Sequence, residues 1–250
     1  MSSKLGEAAS KQPKVYREMS PQLREAVIDL LATASFSERN GGKLFIPWIE
    51  KAPNTFAEMF VARQVYDEYR HGWLQASALA KLGVNAEEEI AKRPTKAYEA
   101  ATEMYRNIKT WTEFIVSLQI LGDPLGFIVF DDCLSSGVEV LEEIAPSIQS
   151  DERRHIQFGV DELTRLVLEE GRRDEAQAAL DHYAPILIRG LGTSGSRREQ
   201  MYLDAGIRKH TSAELYQIWM RDITERLTPL GLRLPEMPEI TGTFSDLAVM

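Results

Sequence analysis

Apolar residues recur at the three- and four-residue spacing of an α-helix through most of the chain. The first such stretch covers residues 21–39, and the Gly41-Gly42 pair that follows predicts its end. A second helix is predicted from Thr55 to about Leu82, because Asn54 or Thr55 is a good N-cap and Gly83 a good stop signal. Both segments are long enough to cross a domain from end to end.

Two further long helices are predicted in the middle of the chain. The third begins near Thr95 and is kinked or interrupted by Gly122 and Pro124, and the fourth covers roughly 138–170, perturbed by Pro146. No strand-like alternation of useful length is present. The fold class is therefore all-α, a four-helix bundle with additional C-terminal helices. The expected divisions are a mobile arm over 1–20, one helical domain over 21–228, an extended tail over 229–250, and C-terminal helices at 174–190, 196–209 and 211–227.

Composition excludes several classes of function. The chain has 250 residues, with 38 acidic and 29 basic side chains and a net charge of −9, which argues against sequence-independent nucleic-acid binding. No apolar run is long enough to span a bilayer, and the first residues lack a signal-peptide pattern. Cys133 is the single cysteine, so no intrachain disulfide is possible. We expect a cytoplasmic protein that contacts neither membrane nor nucleic acid.

One motif occurs twice, as Asp-Glu-x-Arg-His at 67–71 and again at 151–155. Residues i and i+3 share a helix face. The side chains of Glu68 and His71 can therefore reach a common point, and so can those of Glu152 and His155. Two Glu-x-x-His pairs, with one carboxylate from each of two other helices, form the ligand set of a di-iron bundle. The aspartates Asp67 and Asp151 are expected to orient the histidine of the opposite helix, and the arginines Arg70 and Arg154 to pair with those aspartates.

The remaining two carboxylates are sought on the first and third helices. Glu38 lies 30 residues before Glu68, and Asp123 lies 29 residues before Glu152, which suits two related helix pairs meeting at the same height. Asp123 also stands among apolar residues, where an unpaired carboxylate is costly. Two alternatives stay open: Asp123 as a helix N-cap before Pro124, and Glu38 as a surface residue. His182 and His210 lack comparable neighbours and are expected to be surface or packing residues.

The chain resembles the catalytic subunit of the phenylacetyl-CoA epoxidase family, which belongs to the ferritin-like, carboxylate-bridged di-iron oxygenases. The resemblance covers roughly 15–165 and implies the metal ligands Glu38, Glu68, His71, Asp123, Glu152 and His155. Pro124 and the stretch 133–150 depart from the family pattern. The segments that carry the resemblance are Ser37-Glu38, Trp48-Ile49-Glu50-Lys51-Ala52-Pro53, Asp67-Glu68-Tyr69-Arg70-His71-Gly72, Leu121-Gly122-Asp123 and Asp151-Glu152-Arg153-Arg154-His155.

The resemblance implies an O2-dependent di-iron monooxygenase that epoxidises or hydroxylates an aromatic or acyl-CoA-type substrate. Two iron ions are the expected cofactor, and manganese would use the same ligands. Electrons would come from a separate reductase, since no flavin, nicotinamide or iron–sulfur motif is present, and a homo- or hetero-oligomer is expected. The alternatives are a di-iron desaturase or N-oxygenase, a ferritin-like ferroxidase, and a non-catalytic partner subunit.

A CoA thioester would need cations for its phosphates and aromatic walls for its ring. At helical spacing, core packing and solvated surface are the commoner roles for such residues. The candidate cations are Lys51, Arg63, Lys92, Arg93 and Lys96, and the candidate ring contacts are Trp48, Tyr69, Trp73, Trp111 and Phe127.

Overall fold

The computed structural model describes residues 19–93, 102–103, 105–190 and 195–237. Within these ranges the secondary structure is helical, and no β-strand is found. The predicted arm over 1–20 lies almost wholly outside them, as do the predicted helix start at Thr95 and residues 238–250 of the predicted tail. The helices are α1 (Pro21–Ile49), α2 (Thr55–Lys81), α3 (Ala86–Ala91), α4 (Trp111–Leu134), α5 (Glu139–Glu142), α6 (Ala145–Leu168), α7 (Arg173–Gly190), α8 (Arg197–Asp204) and α9 (Ser212–Leu227).

Helix α1 does not end at the Gly41-Gly42 pair, and the predicted end at residue 39 is wrong. The helix continues to Ile49 and contains Pro47. Gly42 faces α2, where a Cβ atom would lie 3.1 Å from Cβ of Glu68. The two glycines cost helix propensity, about 1 kcal/mol each, but Gly42 allows α1 to approach α2 closely beside the predicted ligands. Tertiary packing has thus overridden a local stop signal.

Helix α2 has the predicted bounds, and its two ends show why. The side chain of Asn54 accepts a hydrogen bond from the backbone N–H of Ala57 at 2.9 Å, as an N-cap does. At the other end Leu82 is the C-cap, and Gly83 follows with a φ of 76°, a conformation that favours glycine. The antiparallel pair α1 and α2 is tied together by the hydroxyl of Ser35, which donates to the carbonyl of Gly72 at 2.7 Å.

The predicted third helix is broken before its middle. Residues 107–110 are not helical, and α4 starts afresh with Thr110 and Glu113 forming a capping box. The helix is not broken at Gly122 and Pro124; instead Ile115–Gly122 widens into a π-helix that passes directly into the α-helix beginning at Asp123. The N–H of Asp123 donates to the carbonyl of Leu118, and Pro124, which has no N–H to donate, follows where the wide register ends. Such π segments occur mostly at functional sites.

The expectation that no apolar run is long enough to span a bilayer is wrong by length and composition, because α4 is long and apolar enough to do so, the one such helix among the described residues. Slightly more than half of its most apolar window, 56%, is buried inside the protein. A core helix of a helical bundle passes the same test, and α4 packs against α6, α7 and α9 in the centre of the fold.

The predicted fourth helix is two helices, α5 and α6. Pro146 lies in the first turn of α6, where its missing N–H needs no partner, so it starts the helix rather than perturbing it. The helix ends at Leu168, and Gly171 follows with a φ of 69°. Of the C-terminal helices, α7 and α9 match their predicted bounds. Helix α8 stops earlier than predicted, at Asp204, because Gly206 adopts a φ of 72°.

The apolar core forms two clusters, and the four long helices pass through both. Toward one end, Phe45 of α1 and Phe114 of α4 pack with the C-terminal half of α6 and with Trp219 of α9. Toward the other end, Leu31 of α1 packs with the C-terminal part of α2 and the beginning of α6. On α1, α2 and α6, the predicted ligands lie between the stretches that enter the two clusters. A polar layer is thereby enclosed between two apolar ones.

Candidate metal centre

Four of the predicted ligands meet in the polar layer. Glu38 comes from α1, Glu68 and His71 from α2, and Glu152 from α6. One potential ligand atom from each lies within 4.8 Å of all the others. Nδ1 of His71 is 3.2 Å from Oε1 of Glu152 and 3.7 Å from Oε2 of Glu38. Glu38 is therefore not a surface residue of a helix end, the alternative that the sequence left open.

The remaining two predicted ligands adjoin this cluster. Nδ1 of His155 is 3.5 Å from Oε1 of Glu68 and 3.6 Å from Oε2 of Glu152. Asp123 is joined through Gln64, whose amide donates to its Oδ2 at 2.9 Å and to Oε1 of Glu68 at 3.4 Å. Asp123 has helical backbone angles within α4, with φ −59° and ψ −47°, so it is not the N-cap that the sequence also allowed.

The two inward nitrogens of the histidines form no aligned hydrogen bond, although each lies at ion-pair distance from carboxylate oxygens. These atoms are Nδ1 of His71 and Nδ1 of His155, and both are buried. A buried ring nitrogen without a partner is costly. Both point to the carboxylate side of the layer, as metal-binding nitrogens must, since a metal ion accepts the lone pair that no donor occupies. The donor set therefore fits metal ions that prefer carboxylate and imidazole ligands.

The outward nitrogens of the histidines are held in a crossed arrangement. Nε2 of His71 on α2 lies 3.2 Å from Oδ2 of Asp151 on α6, and Nε2 of His155 on α6 lies 3.4 Å from Oδ2 of Asp67 on α2. Each aspartate thus serves the histidine of the opposite helix, the arrangement predicted from the repeated motif. A carboxylate in this position fixes the tautomer and the ring orientation of a metal-binding histidine.

Arginines neutralise the two aspartates from outside. Nη2 of Arg154 donates to Oδ2 of Asp67 at 2.6 Å and to Oδ1 of Asp151 at 2.8 Å, and Arg70 donates to Asp151. Arg63, one turn before Asp67, adds a bond at 2.9 Å. Burial raises the pKa of Asp67, but the hydrogen bonds of His155 and Arg63 outweigh it and hold that pKa well below its ordinary value. Burial acts in the same direction on Asp151, and Arg154, His71 and Arg70 together lower its pKa.

Charges inside the cluster shift pKa values in opposite directions. Burial raises the pKa of Glu152, but His155 and His71 outweigh it and lower that pKa to about 2. Burial lowers the pKa of His71, yet Glu152 and Glu38 raise it to about 10, and the pKa of His155 rises to about 9 through Asp67 and Glu152. In the metal-free protein, protons on the two imidazoles offset part of the carboxylate charge.

For Glu68 and Asp123, burial and neighbouring carboxylates outweigh any compensation. Burial and the proximity of Glu152 raise the pKa of Glu68 well above its ordinary value and that of Asp123 to about 7. Four carboxylates with two neutral imidazoles would carry four negative charges, which two divalent cations balance. Two such ions would replace the protons as the source of positive charge.

Sequence reasoning missed three buried glutamines beside the ligands. The side-chain amide of Gln119 lies 2.6 Å from Oε1 of Gln64, and Gln64 in turn holds Asp123. Gln75 donates to Oε1 of Glu38 at 3.4 Å. A signal for them was present, because each lies four residues from a ligand along a helix, before Glu68, after His71 and before Asp123. A polar residue on an inward helical face needs a polar partner.

Aromatic side chains wall the centre on the α6 side. The ring of Phe60 meets the ring of His155 edge-on at 6.2 Å, and Phe158 stacks on Phe60 at 3.9 Å. Of the candidate ring contacts, Trp48 stacks on Phe114 at 4.7 Å in the core, where Trp111 also packs. Tyr69 and Trp73 are exposed on α2, and neither is among the residues that line the cavity beside α1.

A cavity of about 650 Å³ lies beside α1 and the segment 102–108. Its lining combines apolar and cationic side chains, and none of the six predicted ligands is among them. Tyr105, in its wall, places its hydroxyl 3.3 Å from where a Cβ atom of Gly122 would lie, one residue before Asp123. The lining residues are Phe36, Asn40, Lys43, Leu44, Pro47, Trp48, Lys51, Thr102, Glu103, Tyr105, Arg106 and Ile108.

Most of the candidate phosphate-binding cations have structural partners. Arg93 pairs with Asp29, Lys92 with Glu89, and Arg63 with Asp67, while Lys96 lies outside the described residues. Lys51 stands over the ring of Trp48 at 4.4 Å and also lines the cavity. The two remaining histidines are not part of the centre: His182 is exposed and packs on Tyr183, and His210 bonds with Asp132 at 2.7 Å.

Fold and site together define a ferritin-like helical bundle with a buried carboxylate and histidine cluster suited to two metal ions. The model of the phenylacetic acid catabolic protein family matches residues 13–245, and the chain belongs to that family. The predicted resemblance to the ferritin-like di-iron oxygenases and the predicted all-α fold are thereby confirmed.

Solved structures include a similar fold. The chain resembles phenol hydroxylase from Pseudomonas sp. OX1, solved under xenon pressure, with a TM-score of 0.67 and 16% identity. The match covers 89% of this chain and 48% of the hydroxylase chain, so this chain spans about half of the length of that relative. No curated protein matches.

Proposed function

We propose that the chain is the oxygen-activating component of a di-iron monooxygenase that works with a separate reductase. The reaction would use O2, two electrons and two protons, transfer one oxygen atom to an aromatic or acyl-thioester substrate, and release the other as water. Two iron ions bound to Glu38, Glu68, His71, Asp123, Glu152 and His155 would supply the O2 activation.

The observation that carries the proposal is the pair of buried Nδ1 atoms of His71 and His155, which form no aligned hydrogen bond and face carboxylates from all four long helices. A layer that served only stability would satisfy those nitrogens, because each unpaired buried polar group costs about 1–3 kcal/mol. The outward nitrogens are both supported by aspartates, so the histidines are oriented rather than merely accommodated.

The chain's own residues have definable tasks in such a reaction. Asp151 and Asp67 keep the two imidazoles oriented with Nδ1 inward, while Gln64 and Gln75 fix the carboxyl groups of Asp123 and Glu38. The two apolar clusters above and below the polar layer exclude bulk water. A dry, preformed site keeps reactive oxygen species away from solvent and strengthens the electrostatic interactions within it.

The cavity beside α1 supports a substrate with an apolar part and an anionic part. Its volume lies within the range of ordinary small-molecule sites, roughly 300–1,000 Å³. Trp48 and Ile108 offer apolar walls, whereas Lys43 and Lys51 offer positive charge. Arg106 also lines the cavity, but it pairs with Glu103 of the same lining at 3.7 Å. A CoA thioester of an aromatic acid has both parts, and the hydroxyl of Tyr105 brings the cavity wall close to Gly122, beside the ligand Asp123.

Metal content tests the proposal first. After anaerobic reconstitution with ferrous iron and desalting, we expect two iron ions per chain, lost in Glu152→Ala and His155→Ala while far-UV helicity is retained. His182→Ala is the matched control, because it removes an exposed histidine outside the cluster. Fewer than about one iron per two chains in the unaltered protein would contradict a ligand set of this type.

Isotope transfer tests the reaction. The chemically reduced, iron-loaded protein is mixed with ¹⁸O2 and with arylacyl-CoA thioesters, the matching free acids, or amines. We expect one ¹⁸O atom in the thioester product and none in Glu152→Ala. Label in the amine, an unsaturated product without label, or ferric iron formed with no oxidised substrate would identify N-oxygenation, desaturation or ferroxidase activity instead.

The cationic wall of the cavity has its own test. We expect Lys43→Ala to raise the KM for the CoA thioester about tenfold, the effect of losing roughly 1.4 kcal/mol of binding, with little change for the free acid. Lys92→Ala, a lysine paired with Glu89 outside the cavity, is the control. Equal KM values for the two variants would exclude this cavity as the site of the anionic part.

A further inference from the structure

The outer face of α2 carries an exposed stripe of large apolar side chains. Phe56 is 72% exposed, Met59 67%, Tyr66 60%, Tyr69 40% and Trp73 62%. Side chains of this size are among those that most strongly favour burial. The five residues, which we call the α2 stripe, are separated by three, seven, three and four positions, so they follow one side of the helix.

The α2 stripe is large compared with the surface of an ordinary monomer. From Phe56 to Trp73 it runs about 26 Å along the helix axis, and its exposed apolar area is roughly 600 Å². The largest apolar patch on a typical monomer is about 300–600 Å² and is often functional. A stable dimer buries about 800 Å² on each partner, which the stripe nearly supplies before its flanking residues are included.

The order of residues along the stripe suits pairing with a copy of itself. If two α2 helices lie antiparallel around a two-fold axis between residues 64 and 65, Phe56 of one copy faces Trp73 of the other. In the same register, Arg63 of one copy faces Tyr66 of the other. Arg63 has 58% of its side chain exposed and lies over the Tyr66 ring of its own chain at 5.8 Å. Arginine over tyrosine is a favourable cation–π pair in either chain.

Charge favours this face for contact between copies. The chain carries a net charge of −9, so most surfaces of two copies repel each other. Along α2 between Phe56 and Trp73, Glu58 is the one exposed acidic residue, whereas Asp67 and Glu68 are buried and Asp67 is paired with Arg63. Two copies can therefore meet along the stripe with little apposition of negative charge.

We propose that the α2 stripe is the interface of a homodimer, in which α2 of one copy packs antiparallel on α2 of a second copy. This proposal goes beyond the proposed function and does not depend on it, because it concerns the outward face of α2 rather than the inward ligands. An isologous interface of this kind presents the same patch from both copies.

Ala62 provides the sharpest test. It is exposed and lies in the middle of the stripe, so Ala62→Glu leaves an isolated monomer intact. In the dimer, each new carboxylate lies within about 8 Å, along the helix axis, of the same group on the other copy and close to the two-fold axis, where like charges repel. Ala80→Glu makes the same substitution on the same helix at an exposed position beyond the stripe. Far-UV circular dichroism and iron content of both variants should equal those of the unaltered chain, which shows that the fold and the ligand cluster are preserved.

Sedimentation equilibrium of the full chain over a range of concentrations gives the result. We expect the unaltered chain and Ala80→Glu to have twice the 28.3 kDa chain mass, and Ala62→Glu to dissociate with a Kd at least tenfold higher. Emission of Trp73, isolated as the difference between the unaltered chain and Trp73→Phe, should shift to the blue on dimerisation. A monomer at all concentrations, or equal dimerisation of Ala62→Glu and Ala80→Glu, would overturn the proposal.

Discussion

At Gly159, α6 lies close against the π segment of α4. A Cβ atom on Gly159 would lie 2.7 Å from Cβ of Gln119, 3.1 Å from its carbonyl oxygen and 3.2 Å from its carbonyl carbon. Favourable contacts between carbon atoms need about 3.5–4.0 Å. The variant Gly159→Ala must therefore separate the two helices, because two of the three contacted atoms belong to the backbone.

The expected magnitude follows from two opposing contributions. Adding a methyl group to a well-packed interior costs about 1–3 kcal/mol, and the backbone contacts favour the upper part of this range. Alanine gains about 1 kcal/mol over glycine in helix propensity. The net loss of unfolding free energy is about 1–2 kcal/mol. For a domain of this size that corresponds to a melting temperature roughly 2–8 °C lower.

Gly126, on the same helix as Gln119, is the matched control. A Cβ atom there would meet nothing within 4 Å, so Gly126→Ala should gain up to about 1 kcal/mol. Urea denaturation, followed by far-UV circular dichroism, measures both changes. Gly159→Ala should also bind less iron, since Gln119 is displaced and supports Asp123 through Gln64.

The result that would refute this reasoning is a Gly159→Ala protein as stable as the unaltered chain, with Gly126→Ala showing its expected gain. The gain of Gly126→Ala would then show that the expected helix-propensity effect is present, so the inferred steric conflict between α6 and the π segment would be wrong. If Gly159→Ala lost stability but kept its full iron content, packing at Gly159 would matter for stability but not for the support of the metal ligands.

Three other outcomes are expected. Gly41→Ala should raise the unfolding free energy by about 0.5–1 kcal/mol, because nothing lies within 4 Å of its added Cβ. Gly42→Ala should show no such increase, because its added Cβ would lie 3.1 Å from Cβ of Glu68. Urea denaturation of both variants measures the two changes in unfolding free energy. Burial raises the pKa of Cys133 to about 12, so at pH 8 a disulfide reagent should label the folded chain at least about a hundredfold more slowly than the urea-unfolded chain. Asp151→Ala should weaken metal binding about 10–100-fold by releasing the ring of His71, measured by competition with a chelator.

The ligand set could be approached from sequence because helical spacing is rigid. Glu68 and His71 lie three residues apart, and so do Glu152 and His155, so each pair shares a face wherever the helix runs. The separation of 30 residues between Glu38 and Glu68 places the two side chains side by side in the fold, because α1 and α2 are long, antiparallel and in close contact. The crossed contacts of the aspartates also followed from the repeat itself.

The features that sequence reasoning missed depend on neighbouring helices. Gly42 reads locally as a helix stop, and only the approach of α2 shows why a glycine stands inside α1. The π segment before Asp123 has no pattern that separates it from an apolar α-helix, and the break at 107–110 depends on the cap formed by Thr110. Gln64 looks like any polar helix residue until its inward direction is known.

The crossed contacts of His71 with Asp151 and of His155 with Asp67 fix the position of α2 along the axis of α6. If one helix slid along the other by a single turn, about 5.4 Å, both contacts would be lost together. Insertions in the connections between these helices leave the relative position of the two motifs unchanged. One residue inserted into either helix, between its Asp-Glu-x-Arg-His motif and the residues that pack in the apolar core, would rotate the motif by about 100° relative to that core. Relatives with the same centre can therefore differ in loop length, but the number of residues between the motif and the core-packing positions of α2 and α6 must stay the same.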